Sequence, residues 1–320
     1  MNAPIIFAMG GAHIDRRGRV IGPYVAEASN PGVIREEVGG GIFNACSTLS
    51  RRGSSVRFFS VRGGDSGGEA VARAIEEADF DDLSATHLDR QTASYTAILD
   101  GNGDVIVALA DMAIYEACLE RNLRRAKLRE AIASSDAIFC DANLPEAALA
   151  TLMRHCADQP VFAIAISPAK VVRLRTVLSR LSVLFMNRRE AKALLDIPQE
   201  SDPAGEALCA GLMKAGLEGG VISDGGHTLH AFQSGRIFTL TPPPVDKIVD
   251  VTGAGDALAG ATVAAMMRGE PLENALLEGL AASALTIQSD KAVAPFNTEQ
   301  FAQMLAEVGQ AQTVSDVKEY

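Results

Sequence analysis

The chain has 320 residues, 48% of them hydrophobic, which suits one large α/β domain or two small ones. A formal charge of −11 at pH 7 leaves no basic field to gather nucleic-acid phosphates, so no nucleic-acid partner is expected. The longest apolar run, near Ala257–Met267, is too short to span a bilayer. The start, MNAPIIFAMGG, has no basic region before its apolar residues and is not read as a signal peptide. Cys46, Cys118, Cys140, Cys156 and Cys209 make neither a CxxC pair nor a disulfide framework, and are expected to be buried thiols of a cytoplasmic protein. The five histidines are scattered, without metal-ligand spacing.

Strands and helices alternate along the chain. Pro4–Met9 and Val56–Val61 read as strands, Asn44–Arg52 and Gly67–Ala78 as helices. From Leu119 the alternation is regular: helix to Ala133, strand Ala137–Cys140, helix Pro145–Cys156, strand Val161–Ile166, helix Val171–Leu178, strand Val183–Met186, then helices from Arg188 and Pro203. Strand Gly220–Ile222 leads to an antiparallel pair, Thr228–Phe232 and Arg236–Thr241, turned at Ser234-Gly235. Helices run from Ala254 to about Glu307, and Gln310–Tyr320 reads as a loose tail. Such an order implies a mostly parallel sheet covered on both faces. One region breaks it: Ala93–Leu99 and Val105–Ala110 flank the turn Asp100–Asp104, and with Arg19–Tyr24 and Val33–Glu37 they suggest a small antiparallel sheet, in enzymes commonly a lid.

The motif with most chemical content is Asp250-Val251-Thr252-Gly253-Ala254-Gly255-Asp256. Gly253 and Gly255 permit a tight turn, and the small residues after Asp256 read as a buried helix. The N–H groups of Gly253, Ala254 and Gly255 then stay unpaired at a helix N-terminus, a site for an anion such as phosphate. A carboxylate beside it has a job such as taking a proton from a nucleophile; the plainer alternative is an N-cap aspartate. Further glycine-rich or polar turns follow predicted strands: Gly10–Asp15, Gly39-Gly40-Gly41-Ile42-Phe43-Asn44, Gly63–Gly68, Asn187–Glu190 and Ser223-Asp224-Gly225-Gly226. There is no G-x-x-x-x-G-K-[ST] loop.

Together these segments resemble the ribokinase-like (PfkB) family of carbohydrate and nucleoside kinases over nearly the full length. The resemblance implies a three-layer α/β sandwich with a mostly parallel central sheet, one domain over 1–320, and a β-lid from about 12–38 and 90–111. It implies Asp256 as catalytic base, Gly253, Ala254 and Gly255 as the anion hole, and Asn187 with Glu190 organising Mg²⁺ and phosphates. ATP is the implied donor, bound by Asn187, Ser223, Asp224, Gly225, Gly226 and Thr252. Asp250 would fix the loop or sit beside a monovalent cation such as K⁺. Asp15 and Asn44, with the Gly39–Gly41 backbone, would grip ribose hydroxyls. Relative to the family's pattern, Ile42 and Thr228 replace glycines, Ile164-Ala165 stands where Asp-Pro is common, and Lys291 lies where cation-activated members often have glycine. These departures bear on substrate identity and cation activation.

Within the family, Ser29–Gly32, Ser94–Asp100, Ala110–Met112 and Asp141–Asn143 are similar to the pseudouridine kinase subgroup. The expected reaction is therefore phosphorylation of the 5′-hydroxyl of pseudouridine, with kinases of ribose, adenosine or a hexose, or a catalytically idle nucleoside- or sugar-binding protein, as alternatives. Phe43 and Tyr95 are the expected base contacts. Ser94, Thr96, Asn30 or Asp111 would accept the extra ring N–H, and Asn143 would instead serve the ribose or phosphate side. A lid with exposed edges suggests a homodimer.

Overall fold

The computed structural model describes residues 3–316. Its strands are β1 Ile5–Met9, β2 His13–Val20, β3 Gly32–Gly39, β4 Ser55–Phe59, β5 Val61–Gly63, β6 Asp81–Asp82, β7 Ala85–His87, β8 Ser94–Leu99 and β9 Val105–Asp111. They continue as β10 Ala137–Asp141, β11 Val161–Ile164, β12 Val183–Asn187, β13 Gly219–Ser223, β14 Leu229–Gln233, β15 Arg236–Leu240 and β16 Gln312–Asp316. The helices are α1 Gly41–Arg51, α2 Ser66–Glu77, α3 Ala113–Asn122, α4 Ala126–Ala133, α5 Glu146–His155 and α6 Pro168–Val171. After them come α7 Arg188–Leu194, α8 Gly205–Lys214, α9 Ala254–Met267, α10 Leu272–Ile287 and α11 Thr298–Glu307.

Strands β1 and β10 to β13 are near-continuous apolar runs because both their faces are covered, as parallel strands require. They form the centre of a ten-stranded sheet in the order β16-β15-β14-β13-β12-β11-β10-β1-β4-β6. Pairing is parallel from β6 to β13 and antiparallel from β13 to β16. Successive side chains go to opposite cores: Phe7, Met9, Ile138 and Cys140 join α3 to α5, while Ile6, Ala8, Ala137 and Phe139 join α1, α9 and α10. Helix α9 is built of small residues because it lies between two others. A Cβ on Gly260 would stand 2.1 Å from the Ala45 carbonyl of α1. One on Gly279 of α10 would stand 2.2 Å from Thr262 Oγ1.

A four-stranded sheet, β3-β2-β8-β9, forms the lid. Its strand pairings set Asp15 beside Glu37 and Tyr95, and Arg17 beside Arg35 and Ala97, all on one face. Arg16, Thr96 and Leu109 share the other face.

Four expectations need correction. The helix expected over Leu119–Ala133 is two, α3 and α4, because the Asn122 amide turns back onto the Cys118 carbonyl and His87 and closes the first. The expected tail contains β16, which satisfies the open edge of β15; residues 317–320 lie outside the described part. The helix expected over Val171–Leu178 is one α-turn followed by 3₁₀ helix over Val172–Arg180. Finally, strand β11 stops at Ile164, since Ile166 has φ 69°, a left-handed conformation that β-branched residues rarely adopt.

Candidate active site

The N-terminus of α9 is set by Gly253, which has φ 78°. A Cβ there would lie 2.1 Å from the Ala292 carbonyl, so the turn admits glycine alone. The Ala254 N–H reaches back to the Val251 carbonyl at 3.3 Å, so the expected trio of free donors is reduced. Gly253 and Gly255 have N–H groups without a hydrogen-bond partner among the described residues. Asp256, in the first turn of the helix, accepts a 2.9 Å bond from the Asn44 amide. Burial pushes its carboxyl up to about 7; the Asn44 bond opposes the rise, and Asp141, Asp15 and Glu190 add to it.

Gly39, Gly40 and Gly41 bring the chain from β3 into α1 along this site. A Cβ at Gly40, φ 125°, would lie 2.2 Å from the Gly11 carbonyl, and one at Gly41 would lie 2.3 Å from Ile166. The same point at Gly41 is 3.4 Å from Asp256 Oδ1, so this backbone passes beside the Asp256 carboxyl. Asn44 is turned toward Asp256, and its Oδ1 is buried without a partner among the described residues.

Between the lid and the core lies a cavity of about 620 Å³ lined by Asp15, Arg17, Arg19, Glu37, Gly39, Leu99 and Asp250. Arg17 crosses it to Asp250 at 2.8 Å. Burial pushes Asp250 up, but hydrogen bonding from Thr252 and the Arg17 guanidinium outweigh it and hold the carboxyl below its usual range. Its Oδ1 accepts the Thr252 N–H at 2.8 Å, which fixes the loop entering Gly253 and leaves that N–H unavailable to a nucleotide. The donor set does not fit a monovalent cation at Asp250, because a guanidinium already occupies the carboxylate.

A second cavity, about 130 Å³, is lined by Ile166, Asn187, Glu190, Ser223, Gly255 and Asp256. Asn187 and Ser223 are register partners at the ends of β12 and β13, where parallel strands present ligand groups. Asn187 and Glu190 form a capping box: Glu190 Oε2 accepts the Asn187 N–H at 2.7 Å and Asn187 Oδ1 accepts the Glu190 N–H at 3.0 Å. Burial pushes Glu190 up as well. Two carboxylates face this cavity and, among the described residues, no basic side chain lines it, so the donor set fits a hydrated Mg²⁺ shared with phosphates. Among the described residues no cluster of three or more His, Cys, Asp or Glu could hold a metal directly. Asp224 lies 3.8 Å from Arg188 Nε, and Gly225, with φ 57°, continues this rim; Gly226 follows with open space around it.

Several expected contacts are not brought to the site. Phe43 is buried edge-on against Phe58 and Phe80 and belongs to the core. Thr96, with Ser94 and Asp111, lies on the lid face opposite Asp15, because residues two apart share a face and Asp15 is paired with Tyr95. Asn30 spends its amide within its own loop, on Val25 and Ala28. Tyr95 keeps the register of Asp15 and is half-buried. Asn143 is engaged below the site: its amide donates to the fully buried Asp141 at 3.0 Å and its Oδ1 accepts from Lys170.

Sequence reasoning left Asp141 and Lys170 without a role, and missed Arg17. Burial pushes Asp141 up while Gly11, Asn143 and Lys170 pull it down. A carboxylate closing an apolar strand was a readable signal for Asp141, and period-two spacing from Asp15 was one for Arg17. Lys170, in a one-turn helix, carried none.

A model described as pfkB family carbohydrate kinase matches residues 6–299. A carbohydrate kinase from Agrobacterium tumefaciens is 43% identical, with a TM-score of 0.85 over 97% of this chain and 100% of that one. Pseudouridine kinase of Escherichia coli (strain K12) is 28% identical over 286 residues, 88% of this chain and 91% of the relative. Arabidopsis thaliana ribokinase, solved with ribose and ATP, is 19% identical with a TM-score of 0.81 over 95% of this chain and 99% of that one, a likeness of fold. With a ribokinase fold and a family match spanning nearly all its length, the chain belongs to the pfkB family of carbohydrate kinases.

Proposed function

We propose that the chain is an ATP-dependent nucleoside kinase that phosphorylates the 5′-hydroxyl of its acceptor, pseudouridine in the first place. The observation that carries the kinase reading is Asp256, its carboxyl raised to about 7, at a helix N-terminus with unpaired donors. A sugar hydroxyl titrates far above neutrality, and a base tuned near the working pH takes its proton as it attacks the γ-phosphorus. The Gly253 and Gly255 N–H groups and the α9 dipole stabilise charge on the transferring phosphoryl group. Mg²⁺, held through water by Glu190 and Asn187, would neutralise the phosphates of ATP. Asp15, on the cavity face of the lid, accepts from the ribose hydroxyls.

The base end faces Arg17, Arg19, Glu37 and Leu99 instead of the lid hydroxyls. Guanidinium donors and a carboxylate acceptor complement a ring that alternates carbonyls with N–H groups, as pseudouridine does. The relation to the Escherichia coli pseudouridine kinase supports this choice. ADP release measured with pseudouridine, uridine, cytidine, inosine, adenosine and ribose tests it. The highest kcat/KM is expected with pseudouridine. Comparable values for uridine, or a preference for free ribose, would remove pseudouridine and leave the kinase; no turnover with any acceptor would remove the kinase as well.

A further inference from the structure

We infer that Ile166 is a water-excluding residue: its side chain fills the space beside Asp256 that a water would need to replace the acceptor hydroxyl, and so ties ATP cleavage to phosphorylation of the acceptor. The inference rests on the reading of Asp256 as the base and adds the group that keeps water from it. Ile166 joins β11 to α6 in a strained turn. Its φ is 69°, and the Ser167 N–H donates to the Ala165 carbonyl at 2.9 Å, which closes three residues into the rare, strained form of γ-turn. A β-branched side chain is among the least suited to such a φ, and glycine would adopt it freely. The turn is held from both sides. The Ala165 N–H still pairs with the Phe185 carbonyl of β12 at 3.0 Å, and the Ser167 carbonyl accepts the Lys170 and Val171 N–H groups that open α6. Strain kept in this way at a reacting centre has a use there, and the direction of the side chain supplies one.

The turn aims the side chain at the site. The Ile166 Cδ1 lies over the Gly41 backbone, where a Cβ on Gly41 would collide with it, and the same point is 3.4 Å from Asp256 Oδ1. The other Asp256 oxygen, Oδ2, accepts the Asn44 amide, so Oδ1 is the oxygen left for a proton, and the isoleucine stands next to it. Ile166 is half-buried and packs against the apolar clusters on both faces of the main sheet. Its remaining surface lines the cavity of about 130 Å³ with Glu190, Gly255 and Asp256, and Ile164, Phe185 and Leu258 extend the apolar wall. A base tuned for a sugar hydroxyl does not by itself refuse water. Water beside Oδ1 would give a proton to Asp256 and attack the γ-phosphorus as the bond to the β–γ bridging oxygen breaks. ADP would leave, inorganic phosphate would form in place of the phosphorylated acceptor, and Asp256 would return the proton to solvent. A hydrocarbon at that point offers water no hydrogen bond, so the base is reached only by a hydroxyl carried on a bound acceptor.

The test compares ADP released with acceptor phosphorylated, using the acceptor that the native enzyme turns over fastest, and then measures ADP released with no acceptor. In the native enzyme the first two should match, with little ADP formed when the acceptor is absent. Ile166→Gly should raise acceptor-independent ATP hydrolysis by about 10-fold or more, part of the worth of a general base now open to water, and ADP should exceed product. Ile166→Val removes only Cδ1 and keeps a branched residue in the turn. It should show a smaller rise in the same direction, and serves where the glycine variant does not fold. In an Asp256→Asn background Ile166→Gly should add no hydrolysis, the signature of an effect that passes through Asp256. Thermal unfolding gives a readout apart from turnover: Tm should be higher for Ile166→Gly than for Ile166→Ala, the reverse of the order at a position with negative φ. An alanine variant at least as stable as the glycine one overturns the strained turn on which the aim of the side chain rests. Native levels of acceptor-independent hydrolysis in folded Ile166→Gly or Ile166→Val, from an enzyme that still phosphorylates its acceptor, overturn the water-excluding role alone. A rise that survives Asp256→Asn overturns it as well. A native protein that phosphorylates no acceptor overturns the kinase reading and the water-excluding role together.

Discussion

Asp256 draws its character from its neighbours: burial and three other carboxylates raise it, and one amide from Asn44 holds it in place. Asp256→Asn should keep acceptor binding and lower kcat by about 10²- to 10⁴-fold, the worth of a general base. A variant retaining most of its turnover removes Asp256 from the chemistry. In the native enzyme kcat/KM should rise as pH increases through about 7, since the base works ionised. Stability should move the other way. A carboxyl whose folded value lies above its unfolded 3.8 binds more protons in the folded state, so folding weakens as pH climbs from 3.8 toward about 7. Asp256→Asn removes that cost, and its Tm should exceed that of the native protein by more at pH 8 than at pH 5. Glu190 differs, because its carboxylate serves both a capping box and the cavity. Glu190→Gln keeps the cap acceptor and removes the charge, so the Mg²⁺ concentration for half-maximal rate should rise while Tm changes little. An unchanged Mg²⁺ curve leaves Glu190 as a cap alone.

At the scale of elements, the loop from Asp250 into α9 makes opposite demands on its two glycines. Gly253→Ala meets a positive φ and a backbone oxygen, and should lower both Tm and turnover, the latter by about 10-fold or more as the donors tilt. Gly255→Ala points into open space at a helical position, and its Tm should hold or rise. Thermal unfolding of the pair checks the contrast, and equal losses would contradict the turn geometry. This loop was legible in the sequence because glycine spacing and a following run of small residues encode a turn and a buried helix locally. The parallel strands were legible for the same reason. Side-chain aim was not. Phe43 reads like a loop aromatic until α1 is seen to turn it onto Phe58, and Thr96 reads like a site residue until strand register puts it on the outer face of the lid. Strand β16 was hidden because Gln-Thr-Val-Ser-Asp has little apolar pattern, and only the open edge of β15 gives it a place.

At the scale of the molecule, the lid and the core meet through ions as well as through the chain. The homodimer through the lid remains a proposal. The outer face exposes Ile34 and Leu109, and sedimentation at micromolar concentration should show a dimer that Leu109→Glu dissociates. On the inner side Arg17 belongs to the lid and Asp250 to the loop that enters α9, and their 2.8 Å contact joins the two across the lid cavity. Arg35 and Asp290 repeat the connection more loosely, at 3.8 Å on exposed side chains, where water and salt weaken it. Loss of Arg17 thus acts on two things at once: the lid loses an anchor beside Asp15, and Asp250 loses the partner that steadies the turn into Gly253. Arg17→Gln should therefore raise the acceptor KM and lower kcat together, whereas a residue that served binding alone would move KM only. Because the guanidinium already fills the place beside Asp250, the rate of the native enzyme should be the same in K⁺ and Na⁺ buffers of equal ionic strength. Marked activation by K⁺ in the native protein would show that the ion pair opens during turnover and gives Asp250 to the cation.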